Sequence, residues 1–224
     1  MDADIERILT LTARASGDEK HTASAHSTLD ILWVLYDRVL RYDPANPRDE
    51  ARDRFVLSKG HGPLAYYAIL ADKGFFPVEE LPRFMTWEGI LGGHPDRNQV
   101  PGVEASTGSL GHGLAMAAGM ALGLRIKKSD RRVFALIGDG EANEGAIWES
   151  ALLVGHLGLR SLTCILVDNR SSVLRMGDPA AKFAVFGWAA TTIDGRDHEQ
   201  IERALRSQDD AQPTAIIARV EAEA

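Results

Sequence analysis

The chain reads as an α/β protein, with a mostly parallel central sheet covered by helices on both faces. Two observations predict this. Short apolar runs ("RFVLS", "VFALI", "LTCILV", "TAIIARV") alternate along the chain with longer helical stretches. Most of these runs are apolar continuously rather than at every second residue, as strands buried on both faces must be. Such sheets bind ligands beyond the carboxyl ends of their strands, at a switch in strand order. Two of the runs end there in polar oxygen-bearing residues: "VFALI" in Gly138, Asp139, Gly140 and Glu141, and "LTCILV" in Asp168 and Asn169.

The elements follow in order. Residues 3–15 form a helix. A second covers about 24–42, where Leu29, Leu32, Trp33, Tyr36 and Leu40 share one face. "RYDPANPRDEARD" is a polar loop with two prolines. "RFVLS" is a strand, and "GPLAYYAILADKG" is a helix that starts at Pro63 and stops at Gly74. Residues 77–106 are mostly loop, with a short helix in "VEELPRFM", and a Gly/Ala-rich helix spans 109–127. Then come a strand (132–137), a helix (143–157), a strand (161–167) and a loop. A helix in "KFAVFGW", the strand "ATTID", the helix "DHEQIERALRS" and the strand "TAIIARV" complete the pattern. The 224 residues suffice for one well-buried core and not for two roomy ones, so residues 1–224 are expected to form a single domain.

Composition narrows the function. The net charge is −7 and Lys/Arg do not cluster, which argues against a nucleic-acid partner. The most apolar window, "GLAMAAGMALGL", is too short to span a bilayer. The start "MDADIERILT" is acidic and polar, unlike a secretory signal. The one cysteine, Cys164, lies in an apolar run and is expected in the core; a lone cysteine fits a reducing, cytoplasmic compartment.

Alone, Gly138-Asp139-Gly140 reads as a tight strand-to-helix turn with Asp139 as an N-terminal cap. Asn169 at a second strand end changes that reading. Asp139 and Asn169 both offer hard oxygens, and Mg²⁺ prefers about six of them, several drawn from phosphates and water. Gly138 and Gly140 let the backbone approach phosphate oxygens, and a helix starting near Asn143 would aim its free amides the same way. The local chemistry therefore points to a metal-bridged diphosphate.

Further segments carry a family resemblance. "GDGE" (138–141), with Asn169 thirty residues after Asp139, resembles the thiamine diphosphate motif. "SKGHGPLAYYAIL" (58–70), "GGHPD" (92–96), "STGSLGHGLAMAAGMALG" (106–123) and "GWAATTIDGRDHEQIERAL" resemble, in order, segments of the transketolase group. The resemblance implies a three-layer thiamine diphosphate-binding fold and transfer of a two-carbon ketol unit from a ketose or ketose phosphate to an aldose. It implies that Asp139, Asn169 and the Ser171 carbonyl hold Mg²⁺. It places Gly138, the Gly140 N–H, Glu141 and His61 at the cofactor's diphosphate end, and Gly108 and Leu110 at its aminopyrimidine. His94 would face the reactive carbon and substrate hydroxyls. Glu144 and Glu149 match acidic residues that communicate with a partner subunit.

The remaining histidines divide. His21 matches a site histidine by its spacing from Asp30, although Glu19 and Lys20 replace the family's Ser-Gly. His26 reads as a helix-surface residue or a second polar group of the site. His112 stands in place of the common Gln, His156 closes a helix, and His198 opens one. Arg170 and Arg175 border the metal loop, either to tie it down or to meet an anionic substrate. Activation of the cofactor in this family needs a glutamate from a second, pyrimidine-binding domain, which these residues do not include. The expectation is therefore a split enzyme: a separate pyrimidine-binding polypeptide completes the site in a hetero-oligomer, two of each. The family's loop after the last strand, with its further histidine, is absent after "AIIARV", which leaves room for an unusual substrate. Two alternatives stay open: a subunit of another thiamine diphosphate enzyme (2-oxo acid decarboxylating, or resembling deoxyxylulose-phosphate synthase), and a non-catalytic subunit that holds the cofactor.

Overall fold

The computed structural model describes residues 3–15, 22–174, 176–207, 209 and 211–220. Among these, one sheet holds β1 (Arg54–Leu57), β2 (Val133–Gly138), β3 (Leu162–Asp168), β4 (Ala189–Asp194) and β5 (Thr214–Arg219). The strand order is β1-β2-β3-β5-β4, and every neighbouring pair is parallel. The helices are α1 (Ala3–Ala13), α2 (Thr22–Val34), α3 (Leu64–Asp72), α4 (Gly113–Ile126), α5 (Gly145–Leu157), α6 (Pro179–Val185) and α7 (His198–Arg206).

Successive strand residues point to opposite faces, and each face has its own apolar cluster. On one, Phe55, Leu57, Phe134, Leu136, Ile165 and Ile216 pack with α1, α2, α3 and α7. On the other, Val56, Ala135, Ile137, Cys164, Leu166 and Ile217 pack with α4, α5 and α6. The continuous apolar runs of β2 and β3 follow from this double cover, since β2 is buried along its whole length. The edge strand β4 is different: Thr191 and Thr192 are exposed. The chain leaves β1 for α3 on one face and β2 for α5 on the other. That divergence opens a crevice at the carboxyl ends of the strands. No helix among the described residues is long and apolar enough to cross a membrane.

Several boundaries differ from the sequence expectation, each for a local reason. The second helix stops being α-helical at Val34 and continues as a π-helical turn, Leu35–Val39, closed by Leu40 N–H on the Leu35 carbonyl. Arg41 is then held outside it by the buried Asp53 carboxylate, which accepts from its backbone N–H (3.1 Å) and guanidinium (2.9 Å). The helix expected from 109 begins at Gly113, because Gly108 and Gly111 adopt φ of 142° and 84°, outside the helical region. Residues Glu141–Asn143 form a 3₁₀ turn, which moves the start of α5 to Gly145. Asp178 caps α6 by accepting from Ala180 N–H, with Pro179 at the first helical position, so that helix starts ahead of "KFAVFGW". The segment "VEELPRFM" is a 3₁₀ turn over Val78–Arg83, with Pro82 unable to donate a helical hydrogen bond.

Helix α5 also packs unusually close to the chain beyond α6. A Cβ on Gly155 would lie 1.8 Å from the Phe186 carbonyl oxygen, a backbone atom that cannot rotate away. Gly155→Ala is expected to destabilise the chain by about 2 kcal/mol through overpacking, read as a lower urea midpoint by circular dichroism.

Candidate metal and diphosphate site

The loop after β3 is built around Asp139. This residue follows β2 in a buried position, with its N–H on the Val167 carbonyl of β3 at 3.0 Å. Its Oδ1 accepts from Gly140 N–H at 2.8 Å and from the Ser171 hydroxyl at 2.5 Å, and its Oδ2 accepts from Ser172 N–H at 3.0 Å. The Ser172 hydroxyl also donates to Asn143 Oδ1 at 3.0 Å. Arg170 reaches a left-handed φ of 58°, with its N–H on Asp168 Oδ1, and this turn carries the chain from β3 over Asp139. The Ser171 carbonyl lies 3.9 Å from where a Cβ on Gly140 would be. Asn169 Oδ1 is buried and has no hydrogen-bond partner.

That orphaned oxygen tests whether the residues fit a metal. A buried acceptor without a donor costs on the order of 1–3 kcal/mol unless something meets it. Here the neighbourhood offers a carboxylate, a carboxamide oxygen and a main-chain carbonyl. All are hard oxygen donors, as Mg²⁺ requires. No group of three or more His, Cys, Asp and Glu residues that could hold a metal occurs among the described residues, so the donor set does not resemble a zinc site. The residues present fit a Mg²⁺ ion shared with a phosphate ligand.

A second carboxylate, Glu141, is also buried, and protein donors occupy both of its oxygens. Oε1 accepts from the Ser58 hydroxyl and from Gly111 N–H at 3.0 Å, and Oε2 accepts from Gly138 N–H at 3.2 Å. Burial pushes its carboxyl above the usual range, against the pull of these three donors and of nearby Lys59. Glu141 thus joins the end of β1, the loop before α4 and the end of β2. Gly111 is required there twice over: its φ is 84°, and a Cβ would lie 2.7 Å from Glu144 Cβ.

The histidine side of the crevice is equally tight. Gly60 has no room for a Cβ, which would fall 2.0 Å from Thr107 Oγ1 and 3.1 Å from His94 Nδ1. His94 is exposed, and its Nδ1 lies 3.3 Å from Thr107 Oγ1. His61, half-buried, follows Gly60 immediately before α3. Gly108 has open space where a Cβ would be, and Leu110 is 40% exposed. Glu144 and Glu149 are exposed at the start of α5. A cavity of about 520 Å³ is lined by Ser58, Thr107, Ser109, His112 and Glu149 among others. His21 and Arg175 lie outside the described residues.

The structure brings together the ends of β1, β2 and β3 with the loops carrying His94 and Gly108. It separates His198, which sits at the start of α7 with Nε2 2.8 Å from Asp30 Oδ1 and its ring stacked on Trp33. Two features escaped the sequence reading. Lys59, the variable position of the S-x-G-H segment, is buried, and its Nζ donates to Ser27 Oγ at 3.0 Å. Ser172 holds Asp139 beside Ser171. The available signal was the hydroxyl pair Ser171-Ser172, which follows Asn169 and Arg170.

Residues 2–221 match the family described as transketolase, thiamine diphosphate binding domain. A protein of Rhodococcoides fascians named ferredoxin fas2 is 48% identical over 214 residues, which cover 94% of this chain and 70% of that one. The first word of that name does not transfer: these 224 residues hold a single, buried cysteine, and an iron–sulfur cluster takes several thiolates. The 6-deoxy-6-sulfo-D-fructose transketolase subunit SqwG of Clostridium sp. (strain MSTE9) is 36% identical, covering 96% of this chain and 82% of that protein. The crystal structure of transketolase from Campylobacter jejuni superposes with a TM-score of 0.82 at 27% identity, covering 98% of this chain and 38% of that one.

Removing the Glu141 carboxylate would strand three donors. Glu141→Ala is expected to lower stability by about 3 kcal/mol and Ser58→Ala by about 1 kcal/mol, measured by urea unfolding with circular dichroism.

Proposed function

The chain belongs to the transketolase family, through its thiamine diphosphate-binding domain, and from that premise we propose that it is the diphosphate-binding subunit of a split enzyme. The enzyme would move a two-carbon ketol unit from a ketose or ketose phosphate to an aldose. The observation that carries this reading is Asn169 Oδ1, a buried oxygen without a partner, on the loop that wraps Asp139.

In this reading Asp139, Asn169 and the Ser171 carbonyl hold Mg²⁺. Gly138, Gly140 and His61 meet the diphosphate, and Gly108 and Leu110 meet the aminopyrimidine. Glu141 reaches the cofactor through the segments it fastens. When bound, thiamine diphosphate supplies the nucleophilic carbon that carries the two-carbon unit. The chain's own residues position and exchange protons. His94, exposed with its Nδ1 3.3 Å from Thr107 Oγ1, would pass protons to and from substrate hydroxyls. The loop hydroxyls and amides hold the Asp139 carboxylate in one orientation before ligand arrives. His21 is assigned to the same substrate end by its spacing from Asp30.

A separate pyrimidine-binding polypeptide completes the site, in an assembly of two copies of each. The lengths of the relatives support this: the chain spans most of a protein named as a transketolase subunit and little more than a third of a full-length transketolase. The two apolar clusters share one sheet, which supports reading residues 1–224 as one domain. Glu144 and Glu149 stand exposed for contact with the partner. A cytoplasmic setting belongs to the same reading, since sugar phosphates and the cofactor are held there.

Two measurements test it. The purified chain is expected to show negligible ketol transfer alone, and activity once mixed with its partner, thiamine diphosphate and Mg²⁺; full turnover by the chain alone would overturn the split reading. Asp139→Ala is expected to weaken Mg²⁺-dependent cofactor binding more than about tenfold, by isothermal calorimetry on the assembled pair. Unchanged binding would remove the metal assignment.

A further inference from the structure

Lys59 places a positive charge at the buried ends of β1 and β2, which the assignments above leave unused. The residue follows β1 and is only 5% exposed. Its side chain runs past the end of β2, where a Cβ on Gly138 would lie 2.9 Å from Lys59 Cδ. Its ammonium donates to the neutral hydroxyl of Ser27 on α2 at 3.0 Å. Burial works against the charged form of Lys59, and the negative charges of Asp139 and Glu141 partly offset that. A buried ammonium whose hydrogen-bond partner is neutral is costly to keep, because it gives up hydration without a direct counter-ion. Its side chain packs against Gly138, the neighbour of Asp139, where the ends of β1 and β2 meet.

The net charge of this pocket decides which ligand enters first. Asp139 and Glu141 attract a divalent cation and repel a diphosphate, and Lys59 acts in the opposite sense on both. We propose that Lys59 is the fixed cation of the diphosphate pocket: it attracts the diphosphate and disfavours a lone divalent ion, so that metal and diphosphate enter together. The proposal rests on reading the Asp139–Asn169 loop as a metal–diphosphate site. It makes Lys59 a binding residue and gives it no part in proton transfer.

The prediction has opposite signs for two probes, which general damage to the fold cannot imitate. Inorganic pyrophosphate in the presence of EDTA, and Mn²⁺ alone, are titrated separately against the full chain by calorimetry and by Mn²⁺ electron paramagnetic resonance. Lys59→Met and Lys59→Gln are expected to bind pyrophosphate about tenfold more weakly and Mn²⁺ about threefold or more tightly, the scale of one unit charge acting over several ångström in a partly screened site. Glutamine keeps a donor for Ser27, so agreement between the two variants assigns the effect to charge. Ser27→Ala keeps the ammonium and is expected to shift neither affinity by more than about twofold. Circular dichroism confirms that each variant is folded. If both affinities fall together in the Lys59 variants, or neither changes while Asp139→Ala still abolishes Mn²⁺ binding, the role of Lys59 is wrong and the metal site stands. If the unaltered chain binds neither probe, both readings fall.

Discussion

The buried carboxylate of Glu141 is the interaction on which the crevice depends. Three segments distant in sequence present donors to it: the Ser58 hydroxyl, Gly111 N–H and Gly138 N–H. Ser58 and Gly138 sit at the last rungs of the strand ladder, and Gly111 lies outside it. The strand ladder ends at Gly138 against Val167, and the loop before α4 has two glycines at positive φ. A carboxylate that accepts several hydrogen bonds converts these loose ends into one rigid floor, at the cost of burying a charge. The same residue spaces Asp139 from α5, because the 3₁₀ turn that begins at Glu141 delays the helix until Gly145.

On this floor the two acidic residues do different work. Glu141 is saturated by the protein. Asp139 is oriented by it: its oxygens accept from the loop that follows β3, and Asn169 on that loop keeps an unpaired buried oxygen. A site that satisfies one carboxylate and leaves a neighbouring carboxamide unsatisfied concentrates its remaining binding capacity at a single place. Beside it the β1 and β2 connections run to opposite faces of the sheet.

How far the molecule was legible in its sequence follows from the range of the forces involved. The strands were readable because double burial imposes continuous apolar runs, and "VFALI" and "LTCILV" became β2 and β3 within a residue at each end. The positions of Asp139 and Asn169 directly after β2 and β3 were readable because each closes a continuous apolar run. Helix starts were not readable where a distant group decided them. Gly111 turns away from helical geometry with its N–H on Glu141, thirty residues downstream, and no local pattern encodes that bond. The handover from α2 to a π-helical turn beside the Arg41–Asp53 contact has the same character. Lys59 was invisible for a related reason. A lysine in a glycine-bearing loop reads as solvated until α2 and β2 are seen to enclose it.

The indole of Trp148 gives the molecule a built-in optical gauge. Its Nε1 donates at 2.8 Å to the Ala142 carbonyl, inside the 3₁₀ turn next to Asp139, while Lys182 lies 5.0 Å from its ring centroid. Trp188, buried with its Nε1 on the Ala151 carbonyl, is shielded from such changes, and Trp87 is fully open to water. Emission from Trp148 should therefore track rearrangement of the turn when ligand is captured, against a steady background from Trp188, Trp87 and the buried Trp33, which stacks on His198 far along the chain, without any attached dye.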